Sequence, residues 1–138
     1  MIHRSAHISF VVLTAAAFTI CAGCRTIDLK EVQHVRSGDL DIVLLSPDGA
    51  LHQKDPFTIE FRSASAGKLT NVGTVHASAS MLMRGMAPML GNLDVAGTDT
   101  PGRYTVRGTL DMTGGWRITL DWDGPAGKGS VNVQGTIQ

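Results

Sequence analysis

Through most of this chain apolar residues recur at every second position, and that period constrains the fold more than any other feature. Trp116, Ile118, Leu120 and Trp122 alternate with Arg117, Thr119 and Asp121. A repeat of two sends the first set to one face of a β-strand and the second to the other, as in a half-buried strand. The same alternation runs through Leu40, Ile42 and Leu44 with Asp41 and Val43 between them, and through Phe57, Ile59 and Phe61 with Thr58, Glu60 and Arg62 opposed. Val75, Ala77, Ala79, Met81 and Met83 share one face, and His76, Ser78, Ser80 and Leu82 share the other. Tyr104, Val106 and Leu110 oppose Thr105, Arg107 and Thr109, and Val131 with Val133 begins a last strand. Ser46-Pro47-Asp48-Gly49, Pro101-Gly102 and Gly124-Pro125-Ala126-Gly127 separate these runs with residues that tight turns require. With weaker candidates around Leu69 and Leu93 the count is about seven short strands, which predicts an all-β, immunoglobulin-like β-sandwich.

The N-terminus follows different rules. Met1-Ile2-His3-Arg4 is a basic head, Ile8 to Ile20 an apolar run, and Ala22-Gly23 a pair of small residues before Cys24. Those are the three parts of a secretory signal peptide, and the apolar run is shorter than the roughly 20 residues that span a bilayer. Cys21-Ala22-Gly23-Cys24 resembles the lipobox of bacterial lipoproteins, whose last cysteine is diacylated and becomes the new N-terminus. That reading makes residues 1–23 a lipoprotein signal peptide, 24–38 a lipidated tether and 39–138 the domain. It competes with a redox or metal Cys-x-x-Cys, a motif that needs a folded context around both cysteines. Lipidation at Cys24 predicts an extracytoplasmic protein anchored to the bacterial membrane. Arg25, in place of the aspartate that commonly signals inner-membrane retention, favours the periplasmic face of the outer membrane.

Beyond residue 23 remain 115 residues, enough for one domain around one core. They carry 11 Lys and Arg against 12 Asp and Glu. Nucleic acid and acidic lipid are both recognised through clustered positive charge, so this balance argues against either as a partner.

The chemical signal is methionine. Of the five methionines beyond the signal, four fall within nine residues: Met81, Met83, Met86 and Met89. Thioether sulfur is a soft, neutral donor, so several together favour Cu(I) or Ag(I) over hard cations, and they do not form disulfides in an oxidising compartment. Gly85 and Pro88 break the strand and fold Met86 and Met89 back toward Met81 and Met83. Methionine beside alanine also fills irregular cores, and Met81 and Met83 extend the row of Val75, Ala77 and Ala79. Met112 is a fifth candidate, in a turn at Asp111-Met112-Thr113-Gly114-Gly115. His76 faces away from Met81 in a regular strand, so as a ligand it requires a bulge or a place at the rim.

The Met-x-Met-x-x-Met segment, the Gly102-x-Tyr104 strand and the Met112-x-Gly114-Gly115-Trp116 strand start together resemble the YtkA-like domain family, FixH-related extracytoplasmic β-sandwich domains. The resemblance spans Asp39 to Gln134. It implies an accessory or metal-handling role beside copper proteins and heavy-metal efflux, and it points to Met83, Met86 and Met112 as the family-type methionines. Arg84 stands where a histidine often interrupts that segment, which adds positive charge beside any bound cation.

Other motifs fail on their spacing. Gly124-Pro125-Ala126-Gly127-Lys128-Gly129-Ser130 has phosphate-loop composition, but Gly129 parts the lysine from the hydroxyl and the segment joins two strands. Asp121 and Asp123 share a strand face as two solvated carboxylates. No nucleophile, base and orienting acid assemble, so an enzyme is not expected. Two functions remain: binding of Cu(I) or Ag(I) by a Met-rich loop, in the service of an efflux or copper-enzyme assembly protein, or a metal-free protein-interaction module using the methionines as an adaptable apolar patch.

Overall fold

The computed structural model describes residues 27–138, so the signal segment, Cys21 and Cys24 lie outside the described residues. Eight strands follow in chain order: β1 (Lys30–Ser37), β2 (Leu40–Ser46), β3 (Phe57–Ser63), β4 (Thr74–Met81), β5 (Met89–Gly97), β6 (Arg103–Thr109), β7 (Gly114–Gly124) and β8 (Gly127–Ile137). All neighbours are antiparallel in the order β1-β2-β3-β6-β5-β4-β7-β8, and β1 returns against β8. The result is the expected all-β sandwich, curled into a nearly closed barrel. No helix among the described residues is long and apolar enough to cross a membrane.

The alternating rows meet inside. Ile42, Leu44, Ile59, Phe61, Val106, Trp116, Ile118 and Leu120 are fully buried, and Met81 joins them at 8% exposure. Leu69 contributes only an isolated bridge to Arg62, whereas Leu93 is buried within β5.

Residues 30–37, which the sequence reading places in the tether, form β1, so the domain begins before Asp39. A bulge between Glu31 and Gln33 shifts the register, and the two apolar residues that pack on the core, Val32 and Val35, are therefore three apart. A period-two search passes over such a strand. Arg36 completes the pairing with β2, its Nε donating to Asp41 Oδ1 at 2.7 Å. That hydrogen bond from Arg36, with His34 adding to it, holds the Asp41 carboxyl down at about 2.

Two connections cross from one part of the sheet to another, at opposite ends. Residues 64–73 lead from β3 to β4 over one end, where Val72 is fully buried and Thr70 N–H donates to the Phe61 carbonyl at 2.8 Å. Residues 110–113 lead from β6 to β7 over the other. In the sheet β5 and β4 lie between β6 and β7, so this short segment passes in front of their ends.

Candidate metal centre

The second end is where the methionines gather. Met81 and Met89 are direct partners across the β4–β5 hairpin, a position in which Cβ atoms stand about 4.5–5.5 Å apart. Both belong to inward rows: Met81 follows Val75 and Ala79, and Met89 precedes Gly91 and Leu93. Met83 and Met89 are half-buried against the core. The connecting loop turns back through a Met86 N–H to Met83 carbonyl hydrogen bond of 3.4 Å, with Gly85 at φ 73°. Met86 projects at its tip, 63% exposed.

Met112 arrives from the crossover. Gly114, two residues on, has φ 125°, a value that L side chains rarely adopt, and a Cβ there would stand 3.1 Å from the Met81 Cε. That close approach brings the 112–114 segment against the β4 methionine. Trp116 fixes it from below: its Nε1–H donates to the Met112 carbonyl at 2.9 Å. Beneath the methionines, Ala79 and Gly91 leave room for the Leu110 side chain and the Trp116 ring, which a Cβ on Gly91 would strike.

The rim is therefore a soft-donor surface on an apolar floor. Met83, Met89, Met86 and Met112 are partly or largely accessible, and Met81 is a core residue beside them. His76 does not join this group. It is exposed on the outer face, opposite Asp121, and five residues along the strand from Met81, about 17 Å at the usual rise. Among the described residues no three His, Cys, Asp or Glu side chains are grouped to hold a metal ion. Asp123 pairs with Lys128 at 2.8 Å, and residues 124–127 form the hairpin between β7 and β8.

Leu82, expected on the face opposite Met81, and Leu90, which the same alternation from Met89 places outward, stand at 70% and 76% exposure on the outer side of the methionine hairpin. Leu90 and two further features of the surface escape the sequence reading. Near the same rim the 46–57 connection forms a cleft with an Asp48–His52 ion pair at 2.7 Å above Leu51 and Phe57. The hydrogen bond from His52 lowers the Asp48 carboxyl to about 2, and Asp48 in turn raises the His52 imidazole. On the outer face of β3, Glu60 is buried and accepts from Arg62 Nε at 2.9 Å and Arg103 Nε at 2.7 Å. Burial pushes its carboxyl up, but the two guanidinium partners outweigh burial and hold it below the ordinary range.

Fold and site together define a small antiparallel β-sandwich with methionines clustered at one rim. The chain belongs to the YtkA-like family, whose sequence pattern matches residues 34–121. Among solved structures it is similar to PcoC, a methionine-rich copper resistance protein from Escherichia coli, with 16% identity over 64% of this chain and 86% of that one and a TM-score of 0.48. The selenomethionine form of PcoC aligns with the same identity and TM-score over 88% of its length. No curated protein matches the chain.

Proposed function

We propose that this chain is a lipid-anchored extracytoplasmic domain that binds one soft monovalent cation, Cu(I) or Ag(I), at its methionine rim and serves metal efflux or copper-enzyme assembly without catalysing a reaction. One observation carries the reading. Met81 and Met89 oppose each other across the hairpin, and the crossover holding Met112 is packed against Met81. Among the described residues no three His, Cys, Asp or Glu side chains are grouped there, which supports selection by softness. Met83, Met86, Met89 and Met112 supply thioethers that can reorient, and buried Met81 supports them. Arg84 adds positive charge beside the cation, which favours a single low charge and moderate affinity.

The exposed Leu82 and Leu90 favour a second reading, because leucine contributes apolar contact and no donor atom. In it the rim is a docking patch and the methionines are adaptable surface.

One variant separates the two. Met86→Leu with Met89→Leu preserves volume and hydrophobicity but deletes two donors. Titration of the reduced mature chain with Cu(I) against a competing chelator is expected to show one site, lost or much weakened in the double variant, while Zn(II) binds neither protein well. Absence of Cu(I) binding in the parent at micromolar affinity, or equal binding by the leucine variant, rejects the metal reading in favour of the docking patch.

A further inference from the structure

The methionine rim is also the end at which the chain enters the domain. Lys30 at the start of β1 pairs with Ser46 at the end of β2, and Leu45 pairs with Thr58 near the start of β3. Phe57 pairs with Val106 at the middle of β6, the last residue of that strand, Thr109, pairs with Asn92 near the start of β5, and Met89 pairs with Met81. The start of β1, the end of β2, the start of β3, the end of β6 and the β4–β5 hairpin therefore share one end of the barrel. Around its circuit β1 and β5 are four strand places apart, which at about 4.8 Å per strand bounds their separation at roughly 20 Å.

Cys24 precedes Ile27 by three residues. Ile27 and Leu29 line a cleft with Leu45, Pro47, Pro56 and Phe57, so the entering chain lies along the domain at this rim. Three residues span at most about 10 Å. A lipid on Cys24 thus holds this rim against the bilayer and turns the opposite end outward. The part of the rim nearest the membrane in chemistry is the β4–β5 hairpin. Its Leu82, Met86 and Leu90 are largely exposed, Pro88 breaks the backbone between them, and Arg84 stands beside them in no ion pair among the described residues.

We propose that the β4–β5 hairpin lies in the interfacial layer of the same bilayer that holds the lipid, with Leu82 and Leu90 among the upper acyl chains, Met86 at the membrane surface and Arg84 at the phosphates. Leucine and methionine gain from leaving water there, and a guanidinium meets phosphate by charge-assisted hydrogen bonds. The inference rests on lipidation of Cys24. It gives the rim an occupant distinct from a protein partner, and it makes the methionine centre open toward the membrane surface.

The test uses the full lipidated protein, extracted from membranes and reconstituted in phosphatidylcholine vesicles containing phosphatidylglycerol, with bromine on the upper acyl carbons. Two single variants carry the probe: Leu90→Trp on the hairpin and Lys128→Trp at the opposite end, each read after subtraction of the parent emission. The hairpin tryptophan is expected to shift to the blue and lose most of its fluorescence to bromine, while the distal one stays unchanged. If the protein floats with the vesicles but the hairpin probe remains unquenched, the hairpin does not meet lipid and the rim is free for a protein partner. Quenching of both probes overturns the proposal too, since the domain then lies on its side. Cys24→Ser is expected to abolish flotation; continued flotation of that variant refutes lipidation at Cys24 and, with it, the placement argued from it.

Discussion

The two ends of this sandwich are built from different materials. At the end away from Lys30, Phe61 meets Tyr104 edge-on at 5.6 Å and Trp122 at 5.4 Å, and the Tyr104 hydroxyl donates to the Gly73 carbonyl at 2.8 Å. The 64–73 crossover lies so close above that a side chain on Gly102, whose φ is 86°, would strike the backbone of Thr70. At the other end the rings lie beneath the surface, Trp116 under the methionines and Phe57 under the 46–57 cleft, and a crossover of four residues leaves the thioethers of Met83, Met86, Met89 and Met112 and the side chains of Leu82 and Leu90 accessible above them. The contrast teaches where stability and chemistry reside. One end is closed by stiff rings and close backbone approach, and the other presents flexible groups that lose little when they rearrange.

The largest effect is expected at the aromatic end. Phe61→Ala removes a fully buried ring from between two others and is expected to cost about 3–5 kcal/mol, a large part of the stability of a domain this size. Chemical denaturation measures it, and a loss below about 1 kcal/mol would show that this end is not the stabilising one. A smaller effect is expected at the rim. Met86→Leu with Met89→Leu is predicted to cost less than about 1.5 kcal/mol. A larger loss in the same experiment would make those methionines part of the core and erase the contrast.

The smallest effect concerns the cleft beside the rim. Asp48 falls from 3.8 to about 2 on folding, so its contribution is present above pH 3.8 and fades as pH drops toward 2. His52 rises above 6.5, so its contribution is present below pH 6.5 and fades as pH climbs through the higher folded value. The pair therefore stabilises most between about pH 4 and 6.5, and exposure to water keeps the contribution small. The difference in Tm between parent and His52→Gln is expected to peak in that window and shrink on both sides. A difference that is flat with pH would mean that the ion pair does not form.

What was legible in the sequence follows from how each feature is encoded. The inward rows on β3, β4, β6 and β7 are written as alternation, whereas β2, read as half-buried from Leu40, Ile42 and Leu44, is buried on both faces, since Val43 and Leu45 are covered too. β1 hid because its bulge moves Val32 and Val35 out of phase, and Leu69 misled because a single bridge needs no alternating neighbours. The methionine rim was half legible. Local spacing places Met81, Met83, Met86 and Met89 on one hairpin and continues the inward row to Met81, but it cannot show that the 112–114 segment crosses to meet Met81, since that depends on the order β6-β5-β4-β7. The same pairing over long sequence separation explains why Glu60 and Arg103, 43 residues apart, could not be joined in advance.

The short crossover from β6 to β7 has a consequence for how the centre comes into being. The hairpin methionines are neighbours along the chain and can be brought together by a local turn, whereas Met112 reaches them only when β7 has docked on the far side of β4. Non-local pairings of this kind are the slow part of folding a β-domain. An unfolded chain thus carries separate thioethers long before it carries the assembled rim, and under the function proposed above the capture of a cation has to wait until the last sheet contacts have closed.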